Sequence, residues 1–167
     1  MALVEEYRQA QDKLTVSQVP IDSLWKAPSP GIIKINFDCA KLGDWGVGWG
    51  VAARDSGGSL LWSTMRQGIG LCGAEYEESR SCLLACEEAV RRGMQCILLE
   101  GDCSNLITKL KNRSCPNTKL GLLISHILQV LSSVQFYDFV FVKRGGNKVA
   151  LSDPSPTCRS ILSKVGR

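Results

Sequence analysis

Apolar positions change period several times along this chain, and each change predicts an element. From Ile32 to Asp38 they alternate, with Ile33, Ile35 and Phe37 on one face and Lys34, Asn36 and Asp38 on the other. That pattern predicts a strand ending at a carboxylate. Trp45 to Ala53 and Ser59 to Met65 predict two further strands, joined through Arg54-Asp-Ser-Gly-Gly as a hairpin. Between Ala74 and Arg92 the period becomes helical, and Glu78, Cys82, Ala85, Cys86, Ala89 and Val90 share one stripe that Gly93 closes. Cys96-Ile-Leu-Leu-Glu-Gly-Asp reads as a strand buried on both faces, as inside a parallel sheet. A helix over 104–111 with Ser104 as cap follows, then a loop at Arg113-Ser-Cys-Pro-Asn and a longer helix over 118–132. The last strand runs from Val134 to Val142, and a short helix begins at Asn147 before Pro154 and Pro156 interrupt it.

The resulting order is β-β-β-α-β-α-α-β-α. A hairpin start followed by βαβ crossovers gives an α/β domain: a five-stranded mixed sheet flanked by helices. Its expected limits are 31–152. Residues 1–30 form a polar tail and a linker around Trp25-Lys-Ala-Pro-Ser-Pro-Gly, and 153–167 an irregular tail. Gly46, Gly48 and Gly50 alternate within a strand with no helix behind them. They therefore mark close backbone approach rather than a nucleotide loop.

Composition narrows the function classes. At 167 residues, 44% apolar and 22% charged, the chain can bury its own core. No apolar run approaches a membrane span, and the opening Met-Ala-Leu-Val-Glu-Glu-Tyr-Arg does not read as a secretory signal. The eight cysteines contain no C-x-x-C pair, and His126 is the only histidine, so neither a zinc site nor a disulfide framework fits. Free thiols in a reducing compartment, nuclear or cytoplasmic, are the expectation. His126 sits in a helical stretch and reads as structural. Net charge is +4, but residues 1–102 carry ten basic and fourteen acidic side chains, and residues 103–167 ten basic and two acidic. The second half attracts polyanions.

Three carboxylates carry candidate chemistry. Asp38 and Asp102 close two strands, and ligands of open α/β sheets gather at strand carboxyl ends. Glu78 stands on the apolar stripe of its helix, where an unpaired carboxylate is costly unless it binds a metal. Together they form an all-oxygen set suited to Mg²⁺ or Mn²⁺. Taken singly, each also has a structural reading: Asp38 in the hairpin connection, Asp102 as a cap, Glu78 as a first-turn acid.

The ordered set Trp25-Lys-Ala-Pro-Ser-Pro-Gly-Ile-Ile-Lys-Ile-Asn-Phe-Asp, Gly50-Val-Ala-Ala-Arg-Asp-Ser-Gly-Gly, Ala89-Val-Arg-Arg-Gly, Leu99-Glu-Gly-Asp and Arg144-Gly-Gly-Asn-Lys-Val-Ala covers about three quarters of the chain. Over this stretch it resembles the ribonuclease H-like domain common in plants, the type-1 ribonuclease H family related to the enzyme of non-LTR retrotransposons. The resemblance implies a metal-dependent endonuclease that hydrolyses the RNA strand of RNA–DNA hybrids, acting as a monomer. It places the catalytic and metal-holding carboxylates on Asp38, Glu78 and Asp102, with Asp38 between two ions. Glu75, in an Ala-Glu pair one turn earlier, is the second choice for the helix glutamate. Asn36, Arg54, Lys143, Arg144 and Asn147 are the implied nucleic-acid contacts. Three positions depart from the family: Cys39 follows the first aspartate in place of glycine, Phe141 stands where histidine is frequent, and Leu151 occupies the fourth carboxylate position. Asp153 is the next carboxylate available as a metal ligand, but on a continuing helix it is turned away by about 200°. These departures imply weakened activity and keep a second class open, a catalytically inactive module that binds nucleic acid or protein.

Overall fold

A computed structural model describes residues 25–70 and 72–151, apart from the side chains of 148–151. The expected tails at 1–24 and 153–167, and with them Asp153, lie outside the described residues. Five strands form one sheet in the order β3-β2-β1-β4-β5. They are β1 (Ile33–Leu42), β2 (Gly46–Arg54), β3 (Leu60–Ile69), β4 (Cys96–Gly101) and β5 (Phe136–Phe141). The helices are α1 (Ala74–Arg91), α2 (Ser104–Lys111), α3 (Lys119–Val130) and α4 (Arg144–Leu151). The first three strands pair antiparallel, and β1-β4-β5 run parallel, so the sheet is mixed as expected.

One sheet face presents Ile35, Phe37, Val51, Ala53, Ile97, Leu99 and Phe139 to the core. Against it lies the stripe of α1, with Cys82, Ala85, Cys86 and Ala89 fully buried, and behind them Ile124 and Ile127 of α3. Every second strand residue points inward, which fixes the register, since a slip of one residue would turn Asn36 and Asp38 into this core. Helix α1 ends where Gly93 takes φ +70 and its N–H reaches the Val90 carbonyl, the left-handed stop expected of glycine. The β2–β3 turn is set by Asp55, whose carboxylate accepts from the N–H groups of Gly57 and Ser59 at 2.9 Å each.

Several expectations are corrected. Strand β1 does not end at Asp38 but continues to Leu42, because it keeps its antiparallel partner after it loses its parallel one. Its ladder with β4 stops at the Asn36–Glu100 pair, and that divergence opens a crevice beside Asp38. Cys103, not Ser104, is the cap residue of α2, and no side chain caps that helix. Helix α4 starts at Arg144 rather than Asn147, so both Gly145 and Gly146 lie in its first turn. The segment expected as a linker is docked from Trp25 onward: Pro28 is buried, and the Trp25 indole N–H donates to Asn36 Oδ1 at 3.1 Å. Of the cysteines, those at 39, 72, 82, 86, 96, 103 and 115 are free thiols. His126 is exposed on α3 and does not line the acidic crevice.

Candidate active site

Three elements bring three carboxylates together. Asp38 comes from β1 at the point where β4 departs, Asp102 follows the last residue of β4, and Glu78 projects from the second turn of α1. One oxygen of each lies within 4.8 Å of the others. Two packing details fix this meeting. The Ser81 hydroxyl, one turn after Glu78, lies 2.8 Å from the Asp38 carbonyl and 3.0 Å from that of Gly50, which fastens α1 to the two strands. Gly101 leaves room for the Phe37 ring, since a Cβ there would sit 2.5 Å from two of its carbons. A larger residue would displace Asp102 or Phe37.

The electrostatics are those of a site lacking its counter-charge. Burial, then the Asp102 charge, pushes Asp38 up to about 6. Burial, then the Asp38 charge, pushes Glu78 up to about 8. Glu78 Oε1 accepts from the Cys39 thiol at 3.2 Å, while Oε2 is buried with no hydrogen-bond partner. Burial and the Glu78 charge in turn push the Cys39 thiol far up, so it acts as a neutral donor. Arg144 is the cation nearest the cluster by contact, its Nε 3.2 Å from Asp102 Oδ2, but its own side chain is 77% exposed. A buried carboxylate oxygen without a donor, held against two further carboxylates, is the donor set of a hard divalent cation.

Of the two candidate glutamates, Glu78 is the one in the cluster. Glu75 lies outside the cluster and pairs with Lys109 at 2.6 Å. The predicted nucleic-acid contacts separate into two groups. Lys143 and Arg144 are exposed at the crevice side of the sheet. Asn36 and Asn147 are fully buried and spend their amides internally: Asn36 Nδ2 donates to Glu100 at 2.9 Å and to Asn147 Oδ1 at 3.1 Å, and Asn147 Nδ2 donates to the Phe37 carbonyl at 2.9 Å. Arg54 is buried too, beneath the Trp25 ring, and donates to the Gly58 carbonyl at 3.2 Å. These three tie α4 and the Trp25 segment to the sheet. Sequence reasoning missed Glu77, which lines the same crevice and accepts from the Trp49 indole at 3.1 Å. Its acidic neighbours Glu75 and Glu78 left nothing in the pattern to single it out.

The five-stranded mixed sheet with its flanking helices is the fold of solved ribonucleases H. Residues 36–152 match the reverse transcriptase-like family, and the chain belongs to that family. The fold is similar to that of ribonuclease H1 from the halophilic archaeon Halobacterium salinarum, at 21% identity over 71% of this chain and 91% of that one, with a TM-score of 0.64. It is also similar to the N-terminal ribonuclease H domain of Rv2228c from Mycobacterium tuberculosis, at 19% identity over 71% and 87%, with a TM-score of 0.63. LC11-RNase H1, solved in complex with an RNA/DNA hybrid, aligns at 19% identity over 71% and 90%, with a TM-score of 0.62. No curated protein matches the chain. No helix among the described residues is long and apolar enough to cross a membrane.

Proposed function

We propose that this protein is a metal-dependent endonuclease that hydrolyses the RNA strand of RNA–DNA hybrids, with Asp38, Glu78 and Asp102 as its catalytic carboxylates. The observation that carries the reading is the trio itself, three carboxylates with oxygens inside 4.8 Å and Glu78 Oε2 buried without a partner. Such a cluster costs stability in the free protein and is favourable only with a cation in place. Mg²⁺ is the ion proposed, with Mn²⁺ as substitute, and divalent ions so held supply an activated water and stabilise the leaving 3′ oxygen. The protein's own contribution is to hold the carboxylates rigid through Ser81 and Gly101, and to keep Glu78 oriented through the Cys39 thiol. Exposed Lys143 and Arg144 beside the cluster suit phosphate contacts. The hybrid is told from DNA by its 2′-hydroxyls rather than by base sequence.

We read the protein as a monomer of the plant ribonuclease H-like type, related to the ribonuclease H of non-LTR retrotransposons. Its free thiols support a reducing compartment, nucleus or cytosol. A second reading, an inactive hybrid-binding module, is favoured by one observation: Leu151 stands at the fourth carboxylate position.

Cleavage of a labelled RNA–DNA hybrid in Mg²⁺ and then Mn²⁺, with Asp38→Asn in parallel, separates the two. Cleavage lost by at least two orders of magnitude in the variant is expected. A folded protein that binds the hybrid and cuts with neither ion supports the inactive module and overturns the enzyme.

A further inference from the structure

Two exposed aromatic residues, one on the crevice rim and one at the neighbouring sheet edge, have places the catalytic reading leaves unexplained. Trp45 lies in the turn between β1 and β2 with its side chain in solvent (76% exposed), and it lines the same cavity of about 680 Å³ as Asp38 and Glu78. Of the four tryptophans, Trp49 and Trp62 are buried and Trp25 half-buried, so Trp45 is the one given to solvent. The turn that presents it is fixed. Its carbonyl accepts from the Gly70 N–H at 2.9 Å, and a Cβ on the following Gly46 would run into the Leu42 carbonyl. Phe141, the last residue of β5, is 47% exposed and lines a neighbouring cleft of about 370 Å³ with Lys143.

The topology sets these two on either side of the carboxylates. Strands β1, β4 and β5 run parallel, so Asp38, Asp102 and Phe141 share one end of the sheet. The β1–β2 turn with Trp45 lies beyond β1, and Phe141 lies beyond β4, at the sheet edge. Each aromatic has an exposed lysine close in sequence, Lys41 beside Trp45 and Lys143 beside Phe141. An aromatic platform next to a cation is the unit that holds an unpaired nucleotide, base on the ring and phosphate on the charge. A paired base is already stacked within its duplex and cannot use such a platform.

We propose that the Trp45 side of this crevice seats an unpaired nucleotide adjoining the hybrid, its base on Trp45 and its phosphate on Lys41, so that the preferred substrate is an RNA–DNA hybrid continuing into single-stranded RNA. This inference rests on the hybrid ribonuclease reading and narrows its substrate class. The full chain carrying Asp38→Asn, which stops turnover, is titrated with a blunt hybrid and with the same hybrid bearing a short single-stranded RNA extension. Binding is followed by anisotropy and by tryptophan emission. The extension tightens binding on the order of tenfold. Adding Trp45→Ala removes most of that gain while changing blunt-hybrid affinity by less than about twofold, and Trp45→Phe retains most of it. Emission falls on binding the extended hybrid and falls much less once Trp45→Phe is present. Because Trp45 is solvent-exposed, neither substitution disturbs folding, and unchanged melting temperatures check this. Equal affinity for the two hybrids, or a Trp45→Ala loss shared equally by both, overturns the inference and leaves the ribonuclease reading standing. Failure of every hybrid to bind overturns both.

Discussion

Two polar clusters lie side by side at the same junction of β1 and β4, and they are built on opposite terms. Lys34, Asn36 and Glu100 form the first. Lys34 Nζ donates to Glu100 at 2.8 Å and to the Lys26 carbonyl at 2.6 Å, Asn36 reaches the other Glu100 oxygen, and Asn147 closes the group against Phe37. Two residues further along each strand stand Asp38 and Asp102, joined by Glu78 and left with repulsion and an orphaned oxygen. Both clusters are buried and both are charged. The first has its counter-charge buried with it, whereas the second meets the guanidinium of an exposed arginine, Arg144, at Asp102 alone. The same sheet thus shows what this protein does with a buried charge it keeps for itself, and the orphaned Glu78 oxygen marks the trio out by that contrast.

The largest effect expected from breaking the comparison falls on the paired cluster. Glu100→Ala leaves the Lys34 ammonium buried without its partner and destabilises the fold by about 3–5 kcal/mol in denaturant titration. Lys34→Met with Glu100→Leu together costs much less than either single change, and a double variant as unstable as Glu100→Ala alone would contradict the pairing argument. Next in size is Asn147→Ala, which removes one of the two acceptors of the Asn36 amide and a donor to the Phe37 carbonyl at a cost of about 1–3 kcal/mol by the same titration.

The acidic trio responds in the opposite sense. Glu78 is held up to about 8 and Asp38 up to about 6, whereas unfolding returns both to values of about 4. The metal-free folded state therefore binds extra protons between these limits. Its stability from this source is present below about pH 4 and is lost as pH rises through about 6 and then about 8. Glu78→Gln flattens this fall and raises the melting temperature of the chelated protein at alkaline pH, read in thermal scans across that range. An unchanged slope in the variant would show that Glu78 is not the group under strain. The smallest effect belongs to Arg144→Ala. With its arginine exposed, this pair contributes under about 1 kcal/mol to stability, and removing the cation tightens divalent-ion binding at Asp102.

Legibility in the sequence followed the physics of each element. The strands, α1 and the left-handed stop at Gly93 were readable because burial imposes a period and glycine alone takes that φ freely. Glu78 was readable as a carboxylate on an apolar stripe. The length of β1 was not, because its last four residues answer to β2 alone and carry no alternation of their own. Nor could pattern alone show that Asn36, Arg54 and Asn147 turn inward. Polar residues on a strand face look solvent-facing until α4 and Trp25 are known to cover them. Trp45 is the converse, an apolar residue with no buried face to occupy.

The claim that the trio is built for a cation is tested most directly by titrating the chelated protein with Mn²⁺ and counting bound ion by electron paramagnetic resonance. Saturable binding that tightens from about pH 5.5 to about pH 8 is predicted, because the ion displaces the extra protons held by Glu78 and Asp38. Asp38→Asn and Glu78→Gln each abolish it, and Glu75→Gln leaves it intact. Saturable binding retained in both Asp38→Asn and Glu78→Gln, or none in the folded parent protein, would contradict the account.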